Sequence, residues 1–179
     1  MLFFILQCFY FMMPAYFANM APIMIRNSFK VLAIPIDGGL KLGGKPLFGA
    51  NKTIRGFLFA ILFAIVVSFI QNILFRLDFF SRLSFFDYSN WLLFGFLMGF
   101  GAIFGDLIKS FIKRRIGVAP GKPFIPWDQT DFVFGALIFS DIMFDLSWKM
   151  VFSIVIISFF GHIAINHTAY YLKIRNEKW

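Results

Sequence analysis

The chain has 179 residues, of which 60% are hydrophobic and only 15% are charged, whereas a typical soluble domain carries about 25% charged residues. This composition excludes a soluble globular domain and indicates a single-domain integral membrane protein. The only cysteine, Cys8, excludes an intramolecular disulfide bond and a cysteine-based metal cluster. The net charge of +8 would suggest nucleic-acid binding in a soluble protein. We expect no nucleic-acid partner here, because membrane topology accounts for the excess of basic residues.

Five apolar stretches predict an all-α integral membrane protein with five transmembrane helices and two long cytoplasmic loops. A helix of about 20 apolar residues crosses roughly 30 Å of hydrocarbon. The fourth stretch is the weakest, because Asp141 and Asp145 lie inside it, and a re-entrant segment is the alternative there. The predicted spans are residues 1–25, 56–75, 88–108, 131–148 and 150–172.

The distribution of basic residues predicts how the chain lies in the membrane. With five spans, loops 26–55 and 109–130 and the C-terminal tail share one side, and together they carry fourteen Lys and Arg residues. The other side carries three, namely Arg76, Arg82 and Lys149. Because cytoplasmic loops are enriched in Lys and Arg, we expect a multi-pass protein of the cell membrane with its N-terminus outside and its C-terminus in the cytoplasm.

Loop 26–55 has the composition of an anion-binding loop. It contains six basic residues and five glycines, and Asp37 is its only acid. Such a loop can direct backbone N–H groups toward an anion while lysines neutralise the charge. A basic cytoplasmic loop that needs glycines for its turns is the equally weighted alternative. The spacing of a Walker A loop is absent.

Three aspartates fall at the cytoplasmic ends of the predicted third and fourth spans. Asp128 and Asp131 lie three residues apart, so they share one face if a helix begins after Pro126. Asp106 adds a third carboxylate from the end of the third span. Helix capping by Asp128 and an ion pair between Asp106 and Lys109 are the structural alternatives. We predict a metal site, and carboxylates without thiolates favour Mg²⁺.

A cluster of basic residues in loop 109–130 surrounds these carboxylates in the sequence. The cluster could bind phosphate groups, which Lys and Arg hold by charge-assisted hydrogen bonds. Ordinary anchoring of the adjoining spans on the cytoplasmic side is the alternative for at least some of its members. The cluster consists of Lys113, Arg114, Arg115 and Lys122.

Two segments together resemble the CDP-archaeol synthases, the archaeal-type branch of the lipid cytidylyltransferases. The second cytoplasmic loop of that family resembles GDLIKSFIKRRIGVAPGKPFIPWDQTDFVFGAL, and its first resembles PIDGGLKLGGKPLFGANKTIRGF. The related phosphatidate cytidylyltransferases have a pattern close to S-x2-K-R-x4-K-D, then P-G-H-G-G and D-R-x-D. This chain keeps Ser110, Lys113, Arg114 and the Asp128–Asp131 pair, but it has Ala119-Pro120 in place of K-D and lacks H-G-G.

The resemblance implies an enzyme that makes a CDP-activated lipid and pyrophosphate from CTP and a lipid phosphate monoester, an archaeal-type dialkyl or unsaturated glycerol phosphate. A phosphatidate cytidylyltransferase that makes CDP-diacylglycerol is the second interpretation. A membrane anion transporter is the alternative of another class, although it would need polar residues along its spans. The resemblance further implies Mg²⁺ as cofactor and catalytic, metal-binding roles for Asp106, Asp128 and Asp131. The residues implied to bind the nucleotide phosphates are Asn51, Lys52, Thr53, Arg55, Ser110, Lys113 and Arg114.

Overall fold

The computed structural model describes residues 1–119, 122–171 and 173. Within them the long elements are all α-helices, and the connection between the first two contains a short 3₁₀ turn at Lys30–Leu32 and a two-stranded hairpin. The basic tail lies outside the described residues apart from Lys173, as do Pro120 and Gly121 of the predicted second loop. The elements are α1 Leu2–Met24, β1 Lys41–Leu42, β2 Lys45–Pro46, α2 Ile54–Leu74, α3 Asp78–Leu83, α4 Trp91–Arg115, α5 Trp127–Asp141 and α6 Trp148–Tyr171.

Four of the described helices, α1, α2, α4 and α6, are long and apolar enough to cross a membrane. The prediction of an all-α, multi-pass membrane protein is therefore confirmed. The fourth predicted span corresponds to α5, which has 15 residues and is about 22 Å long at the usual helical rise. It begins at Trp127, immediately after Pro126, and ends at Asp141, so it is displaced toward the polar loops relative to the predicted 131–148.

Helix α4 is the centre of the bundle, and its glycines set how closely its neighbours approach. A Cβ atom added to Gly95 would lie 2.7 Å from Cα of Ile65 in α2, and one added to Gly99 would be similarly crowded. On another face, a Cβ on Gly101 would lie 2.5 Å from the carbonyl oxygen of Gly135 in α5. Because only glycine fits such contacts, α4 packs backbone to backbone against both α2 and α5.

An aromatic cluster closes the end of the bundle opposite the two polar loops. Phe11 of α1 and Phe94 of α4 are fully buried there, with ring centroids 5.4 Å apart. Phe144, which follows α5, stacks on Phe86 at 4.1 Å and also contacts Phe94. Burial of such large rings supplies much of the packing free energy of the core. The aromatic cluster therefore lies at one end of the bundle, and the charged groups of the two polar loops lie at the other.

Candidate active site

The three predicted aspartates meet around one lysine at the polar end of the bundle. Nζ of Lys109 lies 3.1 Å from Oδ1 of Asp106, 3.1 Å from Oδ1 of Asp128 and 2.7 Å from Oδ2 of Asp131. Lys52, from the first loop, forms a second ion pair with Asp106. The structure therefore brings the three carboxylates of two helices together, as the sequence predicts, and adds an ion pair with a lysine of the first loop that the sequence does not predict.

The backbone contact between α4 and α5 produces this convergence. Asp106 and Lys109 lie on one face of α4 because they are three residues apart. A Cβ on Gly105 would overlap the carbonyl oxygen of Asp131, so the absence of a side chain at Gly105 lets the N-terminal half of α5 rest on α4. The carboxylate of Asp131 is consequently held against Lys109 in a largely buried position.

Asp128 also organises the segment that precedes α5. Its Oδ2 accepts a hydrogen bond of 2.5 Å from the N–H of Phe124, and its carboxylate lies 3.2 Å from Nζ of Lys113. Lys113 in turn donates to the carbonyl oxygen of Lys122 at 2.6 Å. Asp128 is therefore a first-turn residue of α5 that ties the loop to α4, rather than the N-cap, which is Pro126.

The chemistry of this cluster suits a hard divalent cation, but its present arrangement pairs each carboxylate with a lysine. Three aspartates with no thiolate or imidazole among them are the ligand type that Mg²⁺ accepts. Over residues 1–119, 122–171 and 173, no three His, Cys, Asp or Glu side chains are arranged to hold a metal ion. The three aspartates and the ammonium groups of Lys52, Lys109 and Lys113 together carry no net formal charge.

Asp37 gives the first loop its shape. Its carboxylate accepts hydrogen bonds from the N–H groups of Gly39 and Phe48, both at 2.9 Å, and from that of Gly49 at 3.4 Å. Burial of this carboxyl opposes its ionisation, but the three N–H donors outweigh burial and hold the pKa of Asp37 below its ordinary value. The backbone of the loop therefore folds around the carboxylate of Asp37. Gly49, one of the three donors, adopts a positive φ of 104°.

Arg114 is the clearest candidate for binding an anion. Its side chain is only 7% exposed, and among the described residues no hydrogen-bond partner satisfies its Nε. A Cβ added to Gly49 would lie 4.0 Å from Nη1 of Arg114, so the first loop passes directly over the guanidinium. A buried N–H of a guanidinium without an acceptor is costly, and a bound anionic group would offset that cost.

The remaining predicted phosphate-binding residues differ in whether their side chains already form hydrogen bonds within the protein. Arg55 donates to the carbonyl oxygen of Ser28 at 2.7 Å, and Thr53 caps α2 by accepting the N–H of Gly56 at 3.2 Å. Asn51 is exposed and Ser110 is buried on α4. Arg55 and Thr53 therefore have structural contacts that the sequence did not predict, and the nucleotide-binding roles of all four stay predictions.

A small, partly open recess lies beside the cluster, between α1, α2 and α4. Lys52 and Asp106 form its charged side, and Asn51 and Thr53 add further polar groups. The other lining residues are apolar, and they are Pro22, Ile36, Phe57, Ile103 and Leu107, with Gly56 completing the lining. The site thus offers charged and hydrocarbon surfaces in one recess at the polar end of a membrane bundle.

The family model for the CarS-like CDP-archaeol synthases matches residues 1–179, the whole chain. The chain belongs to the CDP-archaeol synthase family. It is 33% identical to the CDP-archaeol synthase of Methanococcus aeolicus over 98% of this chain and 97% of the relative. It is 35% identical to that of Methanocaldococcus jannaschii over 95% of this chain and 94% of the relative.

A solved structure of an intramembrane enzyme for archaeal membrane lipid biosynthesis has the same fold. Its TM-score to this chain is 0.71 at 26% identity, and the match covers 88% of this chain and 90% of that one. The resemblance stated from the two loop segments is therefore confirmed at the level of family and fold. Members of the CDP-archaeol synthase family are enzymes, so the transporter interpretation loses its support.

Sequence reasoning missed the central position of Lys109 and the docking role of Arg115. The sequence predicts Lys109 only as an ion-pair partner of Asp106, because the i,i+3 spacing of these two residues is its one local signal. Its contacts with Asp128 and Asp131 depend on the approach of two helices. Arg115 donates to the carbonyl oxygens of Leu42 and Pro46 in the hairpin, a contact between loops with no local sequence signal.

Proposed function

We propose that this chain is a CTP-dependent cytidylyltransferase that converts an archaeal-type dialkyl or unsaturated glycerol phosphate into its CDP-activated lipid and pyrophosphate. The observation that carries the proposal is the meeting of three aspartates, three lysines and the unsatisfied guanidinium of Arg114 at one polar end of a membrane bundle. Family membership favours the archaeal-type substrate over a diacylglycerol phosphate.

The reaction requires positioning and charge neutralisation more than an enzymic nucleophile. A phosphate oxygen of the lipid attacks the α-phosphorus of CTP in line, and a new P–O bond forms as the bond to the bridging oxygen of the β-phosphate breaks. Pyrophosphate leaves with the bonding electrons. Because a phosphate monoester is already ionised at neutral pH, no side chain needs to act as nucleophile or strong base. Chemistry of this kind is accelerated mainly by orientation and electrostatic stabilisation.

The acidic residues of the site would bind the metal ion, and its basic residues bind the phosphates of the nucleotide. Mg²⁺ held by Asp106, Asp128 and Asp131 would neutralise charge on the triphosphate and on the departing pyrophosphate. Arg114 binds a phosphate oxygen with its unsatisfied Nε–H, and Lys52 from the first loop and Lys113 from the end of α4 supply further positive charge. The recess beside Lys52 is lined by both charged and apolar residues, which suits the junction between a lipid phosphate and its hydrocarbon.

The topology proposal completes this scheme. Soluble CTP and Mg²⁺ are cytoplasmic, so both polar loops belong on the cytoplasmic side of the cell membrane, with the N-terminus outside. The charge asymmetry of the loops supports this orientation. In this arrangement the lipid reaches the site from the membrane and the nucleotide from the cytoplasm.

Labelled CTP tests the proposal directly. The full chain, purified in detergent, is incubated with Mg²⁺, CTP carrying a labelled α-phosphate, and either an archaeal-type dialkyl glycerol phosphate or a diacylglycerol phosphate. We expect label in a lipid product with the first acceptor and unlabelled pyrophosphate in solution. Preference for the diacyl acceptor would favour the phosphatidate interpretation. Failure to label any lipid with a folded protein would refute the cytidylyltransferase proposal.

A further inference from the structure

Among the residues that the structure describes, Lys109 alone contacts all three carboxylates of the cluster. Its Nζ lies between 2.7 and 3.1 Å from an oxygen of each, and its side chain is 13% exposed. A position among three carboxylates is also one that a divalent cation would favour. Both cannot occupy it together, because like charges at that separation repel strongly where water is largely excluded.

The three carboxylates depend on Lys109 to different extents. Asp106 has a second partner in Lys52, and Asp128 has further partners in Lys113 and the N–H of Phe124. Within the described part of the chain, Lys109 is the ion-pair partner of Asp131, and no other basic side chain pairs with that carboxylate. Loss of the Lys109 ammonium would therefore leave carboxylate charge without a neutralising partner, most of all at Asp131.

We propose that Lys109 is the resident counter-ion of the three carboxylates, so that a divalent cation binds them only together with a nucleoside triphosphate. This inference rests on the proposed function and adds an order of binding to it. When the metal–nucleotide complex arrives, the metal takes the carboxylates and the triphosphate accepts the displaced ammonium. The metal ion is then neutralised by the carboxylates, and the ammonium of Lys109 is neutralised by the triphosphate. In the nucleotide-free protein, Lys109 keeps the acidic site neutral and disfavours a lone metal ion.

Mn²⁺ binding to the nucleotide-free protein tests this role without relying on turnover. Mn²⁺ has the ligand preference of Mg²⁺, and its free concentration is measured by electron paramagnetic resonance. We expect weak binding to the wild-type chain and binding at least about tenfold tighter to Lys109→Met, because one buried positive charge has been removed. Lys149→Met is the control: it removes an exposed lysine at the start of α6, which pairs with none of the three carboxylates, and it should bind Mn²⁺ as the wild type does.

CTP binding provides the second measurement. With labelled CTP and no lipid acceptor, the wild-type chain should bind the nucleotide much more tightly when Mn²⁺ is present. Lys109→Met should bind Mn²⁺ alone but lose most of that mutual enhancement, because the ammonium that the triphosphate accepts is gone. Tight Mn²⁺ binding to the nucleotide-free wild type, or equal Mn²⁺ affinities in wild type and Lys109→Met, would overturn the counter-ion role.

A second pair of variants keeps the test decisive if Lys109→Met does not fold. Lys109→Met/Asp131→Asn removes one charge of each sign and is compared with Asp131→Asn alone. The double variant should bind Mn²⁺ more tightly than the single one, and equal affinities would again contradict the role. A wild type that makes CDP-lipid while these affinities stay equal would refute only the counter-ion role. A wild type that makes none refutes the proposed function whatever Mn²⁺ does.

Discussion

Lys45 and Arg115 join the two polar loops by donating hydrogen bonds to each other's carbonyl oxygens. Nζ of Lys45 donates to the carbonyl of Arg115 at 3.0 Å, and Nη2 of Arg115 donates to the carbonyl of Lys45 at 3.2 Å. Arg115 is the last residue of α4, so Lys45 also satisfies a carbonyl that the helix leaves unpaired. The hairpin of the first loop is thus fastened to the helix that carries Asp106 and Lys109.

Replacement of Arg115 should release this hairpin. The guanidinium also bonds the carbonyl oxygens of Leu42 at 2.6 Å and Pro46 at 2.5 Å, and a planar fork of donors is needed to reach all of them. We expect Arg115→Ala to increase amide hydrogen exchange across 41–49 and Arg115→Lys to do so to a lesser degree. Exposed Arg26→Ala is the control and should leave exchange there unchanged. Equal exchange in wild type and Arg115→Ala would show that the hairpin does not depend on this contact.

Arg114 and Lys113 should respond differently to removal. Arg114 has no described partner to lose, so Arg114→Ala should leave thermal stability near that of the wild type while weakening CTP use. A lost hydrogen bond to a charged group costs about 1.5–3 kcal/mol, or roughly 10- to 150-fold in kcat/KM. Lys113→Ala should lower both activity and stability, because Lys113 ties Asp128 to the carbonyl of Lys122.

Lys173→Ala is the control for both, since in this scheme a lysine beyond α6 serves only to anchor the chain. Activity and melting temperature of the three variants are measured in the same detergent. Small and equal effects on kcat/KM at all three positions would mean that the basic cluster of α4 serves only membrane topology.

Gly105 and Gly161 form a matched pair for the contact between α4 and α5. A Cβ at Gly105 would overlap the backbone of Asp131, whereas nothing lies within 4 Å of a Cβ at Gly161 in α6. Gly105→Ala should cost about 1–3 kcal/mol and lower activity, because α5 must move away from Lys109. Gly161→Ala should be neutral or slightly stabilising, since alanine favours the helix. Similar melting temperatures for both variants would contradict the inference that close packing of α4 and α5 at Gly105 positions the site residues.

The sequence predicts the helices and one part of the site, for an identifiable physical reason. Long charge-free stretches predict spans because hydrocarbon penalises charge, and an i,i+3 spacing places Asp128 and Asp131 on one face. The meeting of Asp131 with Lys109 could not be predicted, because it depends on which face of α4 its glycines turn toward α5. The unsatisfied state of Arg114 is likewise a property of the folded loops. The sequence predicts a fourth span at 131–148, which continues beyond the observed end of α5 at Asp141, because the residues that follow Asp141 are also largely apolar.

Single cysteines test the orientation of the chain. In a Cys8→Ala background, cysteines at Ser28 and Val118 should be shielded from a membrane-impermeant thiol reagent in intact cells. A cysteine at Ser84, in the connection between α3 and α4, should be labelled. All three should react after the membrane is permeabilised, which confirms that each is accessible. The opposite pattern in intact cells would place the proposed site on the side that lacks CTP.

The last prediction concerns Asp106, Asp128 and Asp131. Asparagine keeps the shape of each side chain but removes the charge that a hard cation requires. Each Asp→Asn change should abolish most CDP-lipid formation while the protein remains folded in detergent, as judged by its melting transition. Raised Mg²⁺ should partly restore the single variants and restore the double variants less.

The combination of these changes is the sharpest part of the test. If the three carboxylates act as one site, a double variant should be little worse than its more damaged single parent, because a site lost once cannot be lost again. Asp141→Asn is the control: Asp141 lies at the far end of α5, where its Oδ1 accepts the N–H of Leu146 at 2.9 Å, an acceptor that asparagine keeps. It should remain active. Near-normal CDP-lipid formation by both Asp128→Asn and Asp131→Asn would remove the metal-binding role of the cluster, whereas losses that multiply in the double variants would indicate separate roles for its carboxylates.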